Sequence, residues 1–113
     1  KDMIIDKTIP HHTVQYLLSG DTSLTILPTT TYVRCANNNT GYVSLPNNPF
    51  IGQEVKVFRA GSGTVIVQGN GHSIFAAETT VSSVSMEHIN ELDYLRNDKE
   101  EGIKNGKINL LRS

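Results

Sequence analysis

The run Gln53-Glu54-Val55-Lys56-Val57-Phe58-Arg59, followed across Ala60-Gly61-Ser62 by Gly63-Thr64-Val65-Ile66-Val67-Gln68, decides the fold class. Val55, Val57, Val65 and Val67 fall on one side of a chain with a two-residue period, and Glu54, Lys56, Thr64 and Ile66 fall on the other. That period belongs to strands with one dry face. The segment Arg59-Ala60-Gly61-Ser62-Gly63 reads as a short hairpin turn whose two glycines take positive φ, and Gly69-Asn70-Gly71 as the next reversal.

Working outward, short runs rich in Val, Ile, Thr and Tyr recur between turn residues. Strands are expected at Thr13 to Leu18, Ser23 to Leu27, Tyr32 to Ala36, Tyr42 to Leu45, Gln53 to Arg59, Gly63 to Gln68, His72 to Phe75 and Thr80 to Ser85. Asn37-Asn38-Asn39-Thr40-Gly41 and Pro46-Asn47-Asn48-Pro49 are polar loops at strand ends, since Asn closes local turns and Pro cannot join a central ladder. This pattern predicts an all-β fold, a small antiparallel sandwich or barrel-like module.

Two readings compete for the closing segment. Met86, Ile89, Leu92 and Leu95 recur every third residue, which suggests a short C-terminal helix. Three is a poor helical period, and Asn105-Gly106 is a turn signal, so strands at Leu92 to Arg96 and Lys107 to Leu111 are the favoured alternative. Residues 1–113 are read as one β-rich module: an entry segment over 1–22, a β core over 23–85 and a closing segment over 86–113. A chain that begins Lys1-Asp2 rather than with Met is expected to be a piece of a longer protein.

An apolar share of 37% and an aromatic share of 6% with no Trp make a thin core, and thin cores find missing burial in oligomers. The net charge of -1 provides no field to gather nucleic acid. No apolar run reaches the roughly 18 residues that cross a bilayer, so membrane insertion is not expected. Cys35, the one cysteine, lies within Tyr32-Val33-Arg34-Cys35-Ala36 and reads as a buried inert thiol.

No residue set calls for an enzyme, a cofactor or a metal. His11 and His12 are neighbours on a strand and point to opposite faces, while His72 and His88 stand alone. The carboxylates are scattered, with Glu100-Glu101 beside Lys99 in a charged loop, and Ser19, Ser23 and Ser44 lack a nucleophile-elbow context. Binding candidates are Tyr42, Asn37, Asn38 and Asn39, because Tyr stacks on sugars and Asn bonds their hydroxyls.

Three segments carry a resemblance: Tyr32-Val33-Arg34-Cys35 through Gly41-Tyr42-Val43-Ser44-Leu45-Pro46, then Gly52-Gln53-Glu54-Val55-Lys56-Val57, then Gly63-Thr64-Val65-Ile66-Val67-Gln68-Gly69-Asn70-Gly71-His72-Ser73-Ile74. Together they resemble a unit of bacteriophage tail fibres, tailspikes and head fibres. In that unit a strand ending in Leu-Pro precedes a Gly-Gln-hydrophobic strand and then a strand closing on Gly-Asn-Gly. The resemblance implies a homotrimeric, non-catalytic structural module of a virion, possessing a receptor-binding role in host attachment to a surface glycan or protein. The alternative is a monomeric carbohydrate-binding or adhesion module at a cell surface.

Overall fold

The computed structural model of the chain describes residues 13–48, 52–76, 79–97 and 107–112. Among them are eleven strands: β1 (Thr13–Leu17), β2 (Ser23–Thr25), β3 (Thr30–Cys35), β4 (Gly41–Ser44), β5 (Glu54–Arg59), β6 (Val65–Gln68), β7 (Ser73–Ala76), β8 (Thr79–Val81), β9 (Ser83–Met86), β10 (Leu92–Arg96) and β11 (Lys107–Arg112). The fold is all-β, and no helix occurs among the described residues.

The strands form two sheets. One has four strands in the order β9-β6-β4-β2, and the other seven in the order β1-β3-β5-β10-β11-β7-β8. Both are mixed, and neither closes into a barrel. Within the larger sheet β1, β3 and β5 run parallel, and within the smaller sheet β2, β4 and β6 do so as well. The expectation of an antiparallel sandwich is therefore corrected for this half of the chain.

The reason lies in the corners. Five-residue connections, residues 18–22, 36–40 and 60–64, carry the chain from one sheet to the other instead of back along the same one. A neighbour in the same sheet appears only after a full circuit and so arrives in the same direction. The result is three stacked coils, each with one strand in either wall. The far end is covered by antiparallel strands, β9 on β6 and β10 on β5, and β11 then pairs antiparallel with β10 and parallel with β7.

Alternation fills the space between the walls. Across the smaller sheet the inward row Leu24, Val43, Val67 and Val84 is in register, and across the larger sheet Gln15, Val33, Val57 and Asp93 are. Val55, Val57, Val65 and Val67 are all buried as the sequence predicts, yet they line facing walls rather than one face of a hairpin. In the first coil, Gln15 stands in for an apolar side chain. Its Oε1 accepts from Leu27 N at 3.0 Å and Thr30 Oγ1 at 2.5 Å, and its Nε2 donates to Thr25 O at 3.3 Å.

Corner glycines answer to crowding. Gly61 and Gly63 do not take positive φ, contrary to the hairpin reading. A Cβ on Gly63 would lie 2.2 Å from Asn39 O, and one on Gly61 would lie 2.5 Å from Asn37 O, because the third corner stacks on the second. Positive φ does occur in the Gly69-Asn70-Gly71 turn, at Asn70 (54°) and Gly71 (92°). There Asn70 Nδ2 donates to Leu45 O at 2.8 Å and Asn47 Oδ1 at 2.7 Å, tying the turn to the loop after β4.

The helix suggested for the closing segment is corrected as well. Met86 ends β9, and Asn90, at φ 69°, turns the chain before Leu92 opens β10. Ile89 projects into solvent at 55% exposure, while Met86 and Leu95 point inward from different sheets. The three-residue recurrence is thus interrupted by a turn, which Glu91 Oε1 caps by accepting from Glu87 N and His88 N. Residues 98–106, which hold Lys99, Glu100, Glu101 and Asn105-Gly106, lie outside the described residues.

Candidate binding surface

Because Val33, Cys35, Val55, Val57 and Leu95 face inward, the intervening residues of β3, β5 and β10 face out. Register sets them in rows. One row reads Val14, Tyr32, Lys56, Tyr94 and the next reads Tyr16, Arg34, Phe58, Leu92. In each row a cation stands between two aromatic rings: Lys56 between Tyr32 and Tyr94, Arg34 between Tyr16 and Phe58.

Lys56 Nζ lies 5.6 Å from the centroid of the Tyr94 ring, a cation–π contact that holds the ammonium at the surface. A recess of about 350 Å³ beside it is lined, among the described residues, by Thr31, Tyr32, Glu54 and Lys56. This arrangement offers ring faces for C–H groups, two cations for anions and a carboxylate that accepts from hydroxyls.

The opposite wall presents different chemistry. Its outward rows are Ser23, Tyr42, Ile66, Ser85 and Thr25, Ser44, Gln68, Ser83, with no charged side chain. Tyr42, a binding candidate, sits there at 39% exposure between Ser23 and Ile66. Asn38 and Asn39 are exposed at the second corner.

Asn37 needs correction as a recognition residue, since it is fully buried. Its Nδ2 donates to Asn39 O and to Thr64 O, the latter at 3.2 Å, while its backbone O accepts from Gly63 N at 2.9 Å. The side chain ties the second corner to the third. The Asn run is thus split: one member builds the stack and two face solvent.

Other sequence candidates have structural settings. His72 Nε2 lies 3.0 Å from Asn47 O, next to the Asn70 bonds, and His88 N is held by Glu91. Arg59 is buried in the row Leu17, Cys35, Arg59, and its guanidinium donates to Gly63 O at 2.8 Å, Ser62 O at 3.0 Å and Met86 O at 3.3 Å. Cys35 is fully buried, and burial pushes its thiol up to about 12. His11 and His12 lie outside the described residues. No group of three or more His, Cys, Asp or Glu that could hold a metal ion occurs among the described residues. No helix long and apolar enough to cross a membrane occurs among the described residues.

Sequence reasoning missed Tyr32, Arg34, Lys56 and Tyr94 as a group. Each occupies an outward strand position legible in its own segment, but their shared face depends on pairing between β3, β5 and β10. Fold and surface together define a two-walled β-stack with one aromatic and cationic wall and one hydroxyl-rich wall. No protein-family model matches the chain, and no curated protein matches it either.

Proposed function

We propose that the chain is a non-catalytic structural and display module of a trimeric bacteriophage fibre or spike, borne on the virion and used in host attachment. The observation that carries this reading is the stack of three parallel coils covered by antiparallel strands. Each coil passes its backbone hydrogen bonds to the next, so the body resists bending along the stack and can hold a surface at a fixed orientation. The order of motifs from Tyr32 to Ile74 supports a fibre or spike as its setting.

Support for association comes from the corners of the first coil, where Leu18 (57%) and Leu27 (49%) are exposed. Large apolar side chains gathered on one coil favour contact with further copies of the chain. The aromatic and cationic wall supports the receptor-facing part of the reading.

Light scattering over a range of concentrations, at low and high salt, tests the assembly. A mass of three chains that survives dilution and salt is expected. A monomer under all conditions overturns the trimer and puts the monomeric carbohydrate-binding or adhesion module in its place.

A further inference from the structure

We infer that the row Tyr32, Lys56, Tyr94, with Arg34 beside it and Glu54 at its margin, is a binding site for an acidic polysaccharide whose sugar units carry carboxylates. The inference deepens the display reading and rests on it for its biological purpose.

The geometry supplies the parts in order. Neighbouring strands are about 4.8 Å apart, so Tyr32 and Tyr94 stand about 10 Å apart across β5, with Lys56 between them. Tyr94 positions the Lys56 ammonium while leaving that side chain exposed to solvent. Tyr32, on the other side, offers a ring against which the C–H face of a pyranose can lie. A carboxylate on the same or the next sugar then meets Lys56.

The next row repeats the order with Arg34 between Tyr16 and Phe58. Two rows of aromatic, cation and aromatic suit a ligand that itself repeats an apolar ring face and an anion. Arg34 can meet a carboxylate with two parallel N–H bonds, which Lys cannot.

Glu54 decides between two kinds of anionic polymer. It lines the recess with Thr31, Tyr32 and Lys56. A carboxylate there accepts hydrogen bonds from the hydroxyls of neighbouring sugars, donors that the phosphates of a nucleic-acid backbone lack, while its repulsion of anions acts on uronate and phosphate alike. The mixed signs favour the glycan. The placement is also selective, because the outward strand positions of the other wall hold no charge.

The test is titration of the whole chain with a galacturonate hexamer, alongside maltohexaose and hexathymidylate, followed by calorimetry or by chemical shifts. Galacturonate is expected to bind, with affinity falling as salt rises. Lys56→Gln, Arg34→Gln and Tyr32→Ala are each expected to weaken it about tenfold, the effect of losing one charged or stacking contact. Ser83→Ala, on the other wall, is expected to leave it unchanged.

Equal binding of maltohexaose, tighter binding of hexathymidylate, full affinity in both Lys56→Gln and Arg34→Gln, or no galacturonate binding at millimolar concentration would each overturn the site. These failures separate from failure of the assembly. A trimer that ignores galacturonate loses the site alone, and a monomer that binds it loses the trimer alone.

Discussion

The two walls of the stack are alike inside and unlike outside. Facing the core, both alternate aliphatic side chains in register, as in Leu24, Val43, Val67 and Val84 on one wall and Val33 beside Val57 on the other. Facing water, the four-stranded wall carries mainly Ser, Thr and Gln, while the seven-stranded wall carries Tyr, Phe, Arg, Lys and Glu. Inward positions answer to packing, which both walls share, so they report the fold. Outward positions are released from packing, and a difference between them reports use.

The comparison breaks most readily from inside. Leu45→Ala in the smaller wall and Leu95→Ala in the larger remove side chains at 1% and 2% exposure, and each is expected to cost about 2–5 kcal/mol in urea unfolding. If either substitution were tolerated, the walls would not share one core. Gly63→Ala is expected to cost about 1–3 kcal/mol, because its new Cβ meets the second corner's backbone and the corner must shift.

Cys35 sharpens the account of the interior through pH. Its folded-state value near 12 lies above its ordinary 9.0, so the folded chain keeps a proton that the unfolded chain releases between those values. The thiol therefore leaves stability unchanged below about pH 9 and lowers it as pH rises toward 12, by about 1 kcal/mol per unit. Denaturant midpoints across that range, compared with Cys35→Ala, would isolate the effect. A flat difference between the two proteins would mean that the thiol is not desolvated.

Outside the core the effects shrink. Lys56→Met removes the contact with Tyr94 and is expected to cost about 0.5–1 kcal/mol, read from paired unfolding curves with Tyr94→Leu as the second arm of a double-mutant cycle. Ser83→Ala on the other wall is expected to change stability by about 0.5 kcal/mol or less. A larger loss at Ser83 would show that this position of the hydroxyl-rich wall, too, has a specific contact to keep.

Much of this was legible along the chain. The strands from Thr13 through Ala76, and the one at Leu92 to Arg96, fall within a residue or two of their expected positions, because alternation of apolar and polar residues marks a half-buried strand wherever it pairs, whereas the single strand expected over Thr80 to Ser85 is split at Ser82 into β8 and β9, which lie in different sheets. A clue to the stacking was also present. Thr22-Ser23-Leu24-Thr25-Ile26, Thr40-Gly41-Tyr42-Val43-Ser44-Leu45 and Thr64-Val65-Ile66-Val67 each leave a corner at Thr and then place apolar residues at every second position. Such recurrence is the mark of a coil repeated on itself.

The candidate surface was hardly legible. Tyr42 and the Asn run drew attention as neighbours rich in recognition residues, yet Asn37 turned inward to hold one corner on another. Tyr32, Lys56 and Tyr94 are far apart in sequence and meet only across β3, β5 and β10.

By itself, then, the sequence determined that the chain is β, which side chains enter its core and where it turns, since these depend on a two-residue period and on local turn chemistry. The tertiary structure decided that the first three strands of each wall run parallel, that Gly61 and Gly63 are needed for room rather than for φ, and that two rows of aromatic rings flank cations on one wall. The physical reason is that alternation is the same for parallel and antiparallel neighbours. Direction, corner contact and register are properties of pairs of segments, and only folding brings those pairs together.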